Sequence, residues 1–429
     1  MRSQNPTAAS DKVSPRRAKR HFFGWLCMVV YSRKGTHPST AHGSCKNKFH
    51  ALLAIVVMFF VTAPASSGSL EQAKRIHDRI AGVPPSDQVL KDMRDDIDGV
   101  AGRTAIDAAY RAMDSRYFYD VTLKNFATPW TNRDQTVFAD LNDYTATVVG
   151  MVRDDVPFNT LLSADVLYHG GTAGGVPPYS MTSNDHYREL ERRGVNLRDE
   201  LIADSQSNMT DLPLAGIAGV VSTRAAAEAF FIAGTNRAMF RFTMLNHLCN
   251  DMEQVKDITR APDRIRQDVS RSPGGDSRIF LNNCIGCHTG MDPLAQAYAY
   301  YDYDETAGRI VYTPGAVQSK YFNNEDTFKP GFVTPDDSWT NYWRSGPNTW
   351  LGWGAGGGSG TGAASMGSEL ANSDAFARCQ VKKVFRNVCF RDAVDNNDRI
   401  QVESMITSFK SGYRMKQVFA EAAVYCMGD

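Results

Sequence analysis

Residues 282–293 read NNCIGCHTGMDP and contain Cys284, Cys287 and His288 in the order C-x-x-C-H. Two thiols at this spacing on a tight turn can each bond to one vinyl group of a porphyrin, while the adjacent imidazole binds the iron. The pattern is the attachment signature of a c-type haem. The sequence therefore predicts one covalent haem c, held by Cys284 and Cys287, with His288 as the proximal iron ligand.

Two other uses of the cysteine pair are less consistent with the sequence. A structural zinc site needs four ligands, and no second C-x-x-C or H-x-x-x-H pair completes the set. A thioredoxin-like redox pair needs a βαβ setting, whereas the residues around Cys284 and Cys287 resemble helix and loop. The histidine that directly follows Cys287 favours haem over both.

The second axial ligand of the iron is predicted to be Met366. This residue lies 78 positions after His288 in a Gly-rich segment that we expect to fold over the haem. Pairing of Met with His is the usual ligation of electron-carrying c haems. Met291 follows His288 too closely to reach the far face of the ring, so we expect it to pack. Three histidines are alternatives for the distal position: His169, His186 and His247.

The amino-terminal residues 1–65 are predicted to be a basic extension followed by a signal peptide. Residues 51–62, ALLAIVVMFFVT, are preceded by Lys46 and Lys48 and followed by Ala-Pro-Ala. This order of basic, apolar and small residues is typical of an export signal, and the run is shorter than the ~20 residues of a membrane-spanning helix. We therefore expect a periplasmic or otherwise exported protein, without a transmembrane span in its mature form.

Export makes disulfide bonds between the remaining cysteines chemically accessible. The candidates are Cys249, Cys379, Cys389 and Cys426. If residues 374–390 form one helix, Cys379 and Cys389 are separated by roughly 15 Å, which is too far for a direct bond. Cys249 and Cys426 are then each expected to pair with one of them, and the sequence leaves open which.

Composition and charge narrow the class of partner. The chain has 429 residues, 42% hydrophobic and 22% charged, and its formal net charge is zero. Residues 1–65 contain ten Lys or Arg and one acid, so the remainder carries 37 bases against 46 acids, a net charge of −9. This mild acidity argues against a nucleic-acid binder, and redox donor and acceptor proteins are the expected partners.

Hydrophobic periodicity predicts a mainly α fold. SLEQAKRIHDRIAG places Leu70, Ala73, Ile76 and Ile80 at helical spacing and ends at Gly82. We expect further helices after the caps Ser86 and Ser222, and over 144–153, 186–193, 374–390, 398–410 and 413–426. Residues 170–182 and the Gly-rich residues 343–368 are predicted to be loops, the second of them long and flexible. A G-x-G-x-x-G match in that loop has no strand before it and is rejected as a nucleotide site.

The pattern suggests three parts after the signal peptide. Residues 66–206 are predicted to form an N-terminal helical domain, residues 207–274 a second helical segment and linker, and residues 275–429 a cytochrome c-like helical haem domain with the long Gly-rich loop. The number of parts agrees with the length, since single cores stop growing at roughly 250 to 300 residues.

The stretch CIGCHTGMDPLAQAYAYYD resembles the haem segment of planctomycete-type cytochrome c proteins. In that family C-x-x-C-H is followed by an apolar residue, Asp-Pro and an aromatic-rich helix that ends in an aromatic–Asp pair. Eight residues stand at these positions: Cys284, Cys287, His288, Met291, Asp292, Pro293, Tyr301 and Asp302. The chain departs from the family around residues 295–300, which affects helix packing rather than attachment. The resemblance implies a helical haem protein, but the physiological role of that family is mostly undefined.

Three functions are therefore considered. The first is electron transfer by an exported monohaem c-type cytochrome. The second is a haem-dependent oxidoreductase, similar to a peroxidase or oxidase, with an open distal site, so the sequence leaves open whether the protein is an enzyme. The third is a partner-binding or surface scaffold protein that carries a haem module.

Overall fold

A computed structural model of the chain describes residues 68–428, apart from residues 233, 262, 265–277, 279 and 323–331. The predicted extension and signal peptide lie outside the described residues. Helices dominate the described chain, which confirms the mainly α prediction. The first ten are α1 Ser69–Ala81, α2 Asp87–Ile97, α3 Ala105–Met113, α4 Lys124–Ala127, α5 Asp143–Arg153, α6 Asp185–Arg192, α7 Leu197–Glu200, α8 Gln206–Met209, α9 Arg224–Phe230 and α10 Arg237–Thr243. The next five are α11 Ile285–Ala295, α12 Gly362–Ala371, α13 Asp374–Cys389, α14 Asn396–Lys410 and α15 Met415–Tyr425.

The strands of the described chain are short and form antiparallel pairs rather than one layer. They are β1 Leu167–His169, β2 Ile202–Asp204, β3 Tyr301–Asp304, β4 Arg309–Tyr312, β5 Ser338–Thr340 and β6 Ser359–Thr361. β1 pairs with β2, β3 with β4 and β5 with β6. Two of the resemblance positions, Tyr301 and Asp302, therefore lie in β3 and not at the end of a helix. The helix that follows the cysteines ends earlier, at Ala295.

The predicted caps determine where the first helices begin and end. α1 stops at Gly82, which adopts the left-handed conformation with φ +72°. The Ser86 hydroxyl accepts a hydrogen bond from the Val89 N–H and so caps α2. On α1 the side chains of Ile76 and Ile80 are fully buried, whereas Leu70, expected on the same face, is 41% exposed. Leu70 lies in the first turn of α1.

The last helix returns to the first ones and closes the core. α15 packs on α1 and α3. The ring of Phe419 on α15 lies 5.1 Å from that of Phe118 and 5.6 Å from that of Phe126, measured between ring centres. All three are buried. The amino- and carboxyl-terminal thirds of the described chain therefore share one apolar core.

The helical stretch around residues 222–249 is divided, unlike the continuous pattern of the sequence. Thr223, and not Ser222, caps α9 by accepting from the Ala226 N–H. The Ser222 hydroxyl instead donates to Gln206 at 2.8 Å. Asn236 has a φ of +56°, which interrupts the chain between α9 and α10.

The Gly-rich segment is more ordered than its composition indicates, so the prediction of a long flexible loop over residues 343–368 is wrong in part. β6 pairs with β5, and α12 begins directly afterwards at Gly362. Met366 consequently lies inside a helix, fully buried, and not on a loop. Composition alone missed this because the strand pairing joins residues about twenty positions apart.

Two disulfides select one of the pairings that the sequence left open. Cys249 is bonded to Cys379, and Cys389 is bonded to Cys426. The first bond joins α13 to the helical segment that begins with α10 and continues as a wider turn over Met244–Leu248. The second joins the end of α13 to the end of α15. α13 is continuous, so both bonds reach it from other elements, as expected.

The described residues belong to one compact unit. The predicted domain boundaries near residues 206 and 274 stay predictions. Within the described part of the chain, no helix is both long and apolar enough to cross a membrane.

Candidate haem-attachment site

The C-x-x-C-H motif forms the start of α11. A wide turn over Phe280–Cys284 leads into the helix, and Cys284 is its N-cap residue. Residues three and four positions apart share one face of a helix. Cys287 and His288 therefore lie on the same side of α11 as Cys284, which is the side on which a single planar group can meet all three.

The two motif cysteines are the described cysteines that remain free thiols, while the other four are bonded in pairs. Both are partly exposed. The Cys287 thiol donates to the Met252 carbonyl oxygen over 3.6 Å. Burial, and then the negative charge of Glu253, raise the pKa of the Cys287 thiol. Burial therefore favours the protonated form of the Cys287 thiol, and neither motif cysteine forms a structural crosslink within the described residues.

A buried carboxylate orients the imidazole of His288. The Nδ1 atom of His288 lies 3.1 Å from Oδ2 of Asp292, one helical turn later, and the Asp292 side chain is fully buried. We assign the ring proton to Nδ1, because a carboxylate can only accept there. Histidines that bind metals commonly donate their second N–H to a carboxylate in this way. With Nδ1 directed at the carboxylate, a metal ion would bind this ring through Nε2.

The charge of Asp292 is balanced by an arginine from another helix. Arg237, the first residue of α10, contacts both carboxylate oxygens, with Nε 2.7 Å from Oδ1 and a terminal nitrogen 3.1 Å from Oδ2. The two planar groups therefore form a bidentate pair. His288, Asp292 and Arg237 make a hydrogen-bonded chain from the motif into the core.

Close packing fixes the position of α11 itself. A Cβ added to Gly290 would lie 2.0 Å from Nε1 of Trp343, so only glycine fits there. Trp343 is 1% exposed, and its Nε1 is among the buried polar atoms without a hydrogen-bond partner in the described part of the chain. Nearer the start of the helix, the Asp257 N–H donates to the Gly286 carbonyl at 2.8 Å. Two separate segments of the chain therefore hold the first turns of the helix in place.

A cavity of about 380 Å³ lies beside the motif. Its lining includes Met252, Met291, Arg237 and Arg241. Met291, expected to pack, is 6% exposed. The segments 265–277 and 323–331, which come before and after α11 in the chain, lie outside the described residues.

The three alternative histidines hold protein partners. His186 accepts from the Gly170 N–H at 2.9 Å through Nε2, and its Nδ1 lies 2.7 Å from the Pro177 carbonyl. His247 is buried with Nε2 2.7 Å from the Tyr144 hydroxyl, and burial lowers its pKa well below the usual value. His169 contacts the Gly170 carbonyl through Nδ1 at 2.9 Å. These contacts favour structural roles for all three.

Sequence reasoning named Asp292 without a role and missed Arg237 and Trp343. Asp292 lies four residues after His288 in a helix, and this spacing alone indicates that the two side chains are neighbours. Arg237 is 55 positions from Asp292, and nothing in the local sequence connects the two.

The residues present fit a covalently bound haem. Free thiols and an oriented imidazole share one helix face, and the buried polar chain behind them is satisfied. Among the described residues, no group of three or more His, Cys, Asp or Glu side chains is arranged to hold a metal ion. A c-type haem does not require such a group, because the porphyrin itself supplies four of the iron ligands.

Comparison of the chain with protein-family models, with curated proteins and with solved structures found no match.

Proposed function

We propose that this protein is an exported monohaem c-type cytochrome that transfers electrons. The haem would be bonded to Cys284 and Cys287, with its iron on His288. The observation that carries the proposal is the contact of His288 Nδ1 with the buried Asp292 carboxylate, on the same helix as two free thiols. Such a contact is expected behind a metal-binding imidazole.

When bound, the haem supplies one-electron exchange between ferric and ferrous iron. The polypeptide does the remaining work. Asp292 holds the His288 ring in one orientation and one tautomer, and Arg237 supplies the opposite charge beside that buried carboxylate. The close contact of Gly290 with Trp343 keeps the helix from shifting. Rigid and charge-balanced surroundings reduce the structural rearrangement of the protein when the iron gains or loses an electron, and an electron carrier requires this.

Met366 stays the proposed distal ligand. Met366 is fully buried on α12, so it would have to be presented to the haem by that helix and not by a flexible loop. A weak far-red sulfur-to-iron band in the ferric spectrum, lost in Met366→Ala but kept in Met405→Ala, would support it. Met405 is an equally buried methionine on α14 and controls for general loosening of the core.

A haem-dependent oxidoreductase is the second candidate, favoured by the cavity beside Met252 and Met291. With a volume of about 380 Å³, the cavity can admit a small substrate. A high-spin ferric spectrum that shifts on addition of cyanide would select this candidate over the carrier.

The deciding experiment is a pyridine haemochrome assay on protein expressed together with a c-haem maturation apparatus. We expect a spectrum of two thioether bonds from the unchanged chain. Cys284→Ala and Cys287→Ala should each shift the band towards that of a haem with one free vinyl group, and the double variant should lose the haem on denaturation. Colourless protein, or zinc bound to the two thiolates, would refute the proposal.

A further inference from the structure

A second cavity, of about 590 Å³, lies against α13, remote in sequence from the haem motif. Its walls include the apolar side chains of Trp130, Leu245 and Phe385. Small-molecule sites in proteins typically have volumes of roughly 300–1,000 Å³ and mainly apolar walls with a few polar groups. The cavity therefore has the size and the wall chemistry of a ligand site.

Lys383 is the polar group that distinguishes this cavity. Its amine lies 4.3 Å from the centre of a Trp130 ring and donates to the Asn246 carbonyl oxygen. In the part of the chain that the structure describes, no carboxylate forms an ion pair with Lys383. An ammonium has three N–H donors, so the amine retains capacity for an anionic acceptor.

The charges around Lys383 are predominantly positive. Lys382 and Arg386 line the same cavity, and Asp392 is the acid that faces them. Both oxygens of Asp392 are bound to Arg386, at 2.6 and 2.9 Å, so this acid neutralises Arg386. Burial, and then the charge of Arg386, lower the pKa of Lys383 to about 7. A bound anion would relieve the cost of holding this ammonium charged.

We propose that this cavity binds a small organic acid, whose carboxylate contacts the Lys383 amine and whose apolar part lies against Trp130 and Phe385. The carboxylate supplies the counter-charge that the protein lacks at this position. The aromatic and aliphatic side chains of the cavity walls would contact the apolar part of the acid. This chemistry excludes simple inorganic anions as the preferred ligand, because they would leave those walls unused.

The site is separate from the proposed haem site. The segment from Arg237 to Leu248 connects the two, since Arg237 contacts Asp292 at one end and Asn246 lines the cavity near the other. Nine residues of helix span roughly 14 Å, so a ligand on Lys383 would not reach His288. Binding should therefore occur whether or not haem is attached, and its failure would leave the haem proposal intact.

The test is isothermal titration calorimetry at pH 6.5 with benzoate, 3-phenylpropionate and, as the neutral comparison, benzyl alcohol. We expect at least one of the two acids to bind at least tenfold more tightly than the alcohol. Lys383→Met should weaken acid binding at least tenfold. Lys91→Met, the same change at an exposed lysine on α2, should leave it unaltered. Absence of binding by both acids at millimolar concentration, or equal binding to Lys383→Met, would overturn the proposal.

The pH dependence provides an independent check. Among the groups that face Lys383, Arg386 and Asp392 stay charged, because their mutual hydrogen bonds raise the pKa of the arginine and lower that of the carboxyl. His247 stays neutral above pH 7, since burial keeps the pKa of His247 well below its usual value. Affinity of the unchanged protein should therefore fall about tenfold per pH unit above pH 8, as Lys383 loses its proton. Lys383→Arg keeps its charge, so its affinity should stay level from pH 7 to 9. A level profile for the unchanged protein would contradict the proposed contact.

Discussion

At the scale of single residues, Asp292 links the motif to the core. Its carboxylate accepts from His288 and pairs with Arg237, and its side chain is fully buried. Removing one member of a buried pair leaves the other charge uncompensated, which costs about 3–5 kcal/mol. We expect Asp292→Asn to lower the free energy of unfolding by an amount near the lower end of that range, measured by urea denaturation.

If Asp292 had only a structural role, its replacement would change the free energy of unfolding and leave the reduction potential unaltered. If it also positions the iron ligand, Asp292→Asn should raise the reduction potential, because the amide accepts more weakly from Nδ1 and carries no negative charge to stabilise ferric iron. Potentiometric titration of the folded variant measures this. As the control, Asp398→Asn removes another fully buried carboxylate, on α14, from its pair with the half-exposed Arg391, and it should leave the potential unchanged.

Replacing Lys383 is expected to raise the free energy of unfolding, whereas replacing Asp292 is expected to lower it. The pKa of its amine is about 7 in the folded chain, below the value near 10.4 of an unfolded chain. Between these values the unfolded state binds more protons, so the free energy of unfolding rises with pH, and below pH 7 the full cost is present. Replacing buried ion pairs with apolar chains of similar volume often stabilises by about 1–4 kcal/mol, and replacing this unpaired ammonium should act in the same direction.

We therefore expect Lys383→Met to be more stable than the unchanged protein at pH 6, with the difference shrinking towards pH 10. Urea denaturation at pH 6, 8 and 10 measures it, with Lys91→Met as the matched exposed control. A difference that stays constant across this range would show that the lysine is not the titrating group.

At the scale of elements, the position of α11 depends on the contact between Gly290 and Trp343, which leaves no space for a side chain at residue 290. Gly290→Ala would place a Cβ 2.0 Å from Trp343 Nε1, and overpacking of this kind costs about 1–3 kcal/mol. Gly171→Ala is the matched control, because an added Cβ meets nothing within 4 Å there. Thermal unfolding should separate the two variants. Trp343→Phe should recover part of the loss in Gly290→Ala, and no recovery would mean that the strain lies elsewhere.

Elements whose signals are local were predictable from the sequence. Ser86 and Gly82 mark helix ends through hydrogen bonds and backbone conformation within a few residues. α12 was missed because its start depends on the pairing of β5 with β6, which adjacent residues do not encode. The motif thiols and His288 were readable from spacing, whereas Arg237 enters the site from a distant helix. Local patterns thus predict elements, and tertiary contacts complete the site.

At the scale of the whole molecule, the described chain has one shared core, although its length suggested several domains. Phe419 on α15 contacts Phe118 and Phe126, which lie within the predicted N-terminal domain. The Gln72 side chain donates to the Gly428 carbonyl at 2.8 Å, which adds a polar contact between the two ends. These contacts couple the predicted N-terminal and haem domains, so that neither buries its apolar face alone.

This coupling predicts that the mature chain unfolds in a single transition. Phe419→Ala removes a fully buried ring, and such changes cost about 3–5 kcal/mol. We expect the midpoint to fall while the transition stays single, because the ring contributes to the stability of both ends. Far-ultraviolet circular dichroism and tryptophan fluorescence should give coincident curves, with Phe138→Ala, a 92% exposed ring, as the neutral control. Two separate transitions, with Phe419→Ala shifting one of them, would instead establish independent domains near the predicted boundaries.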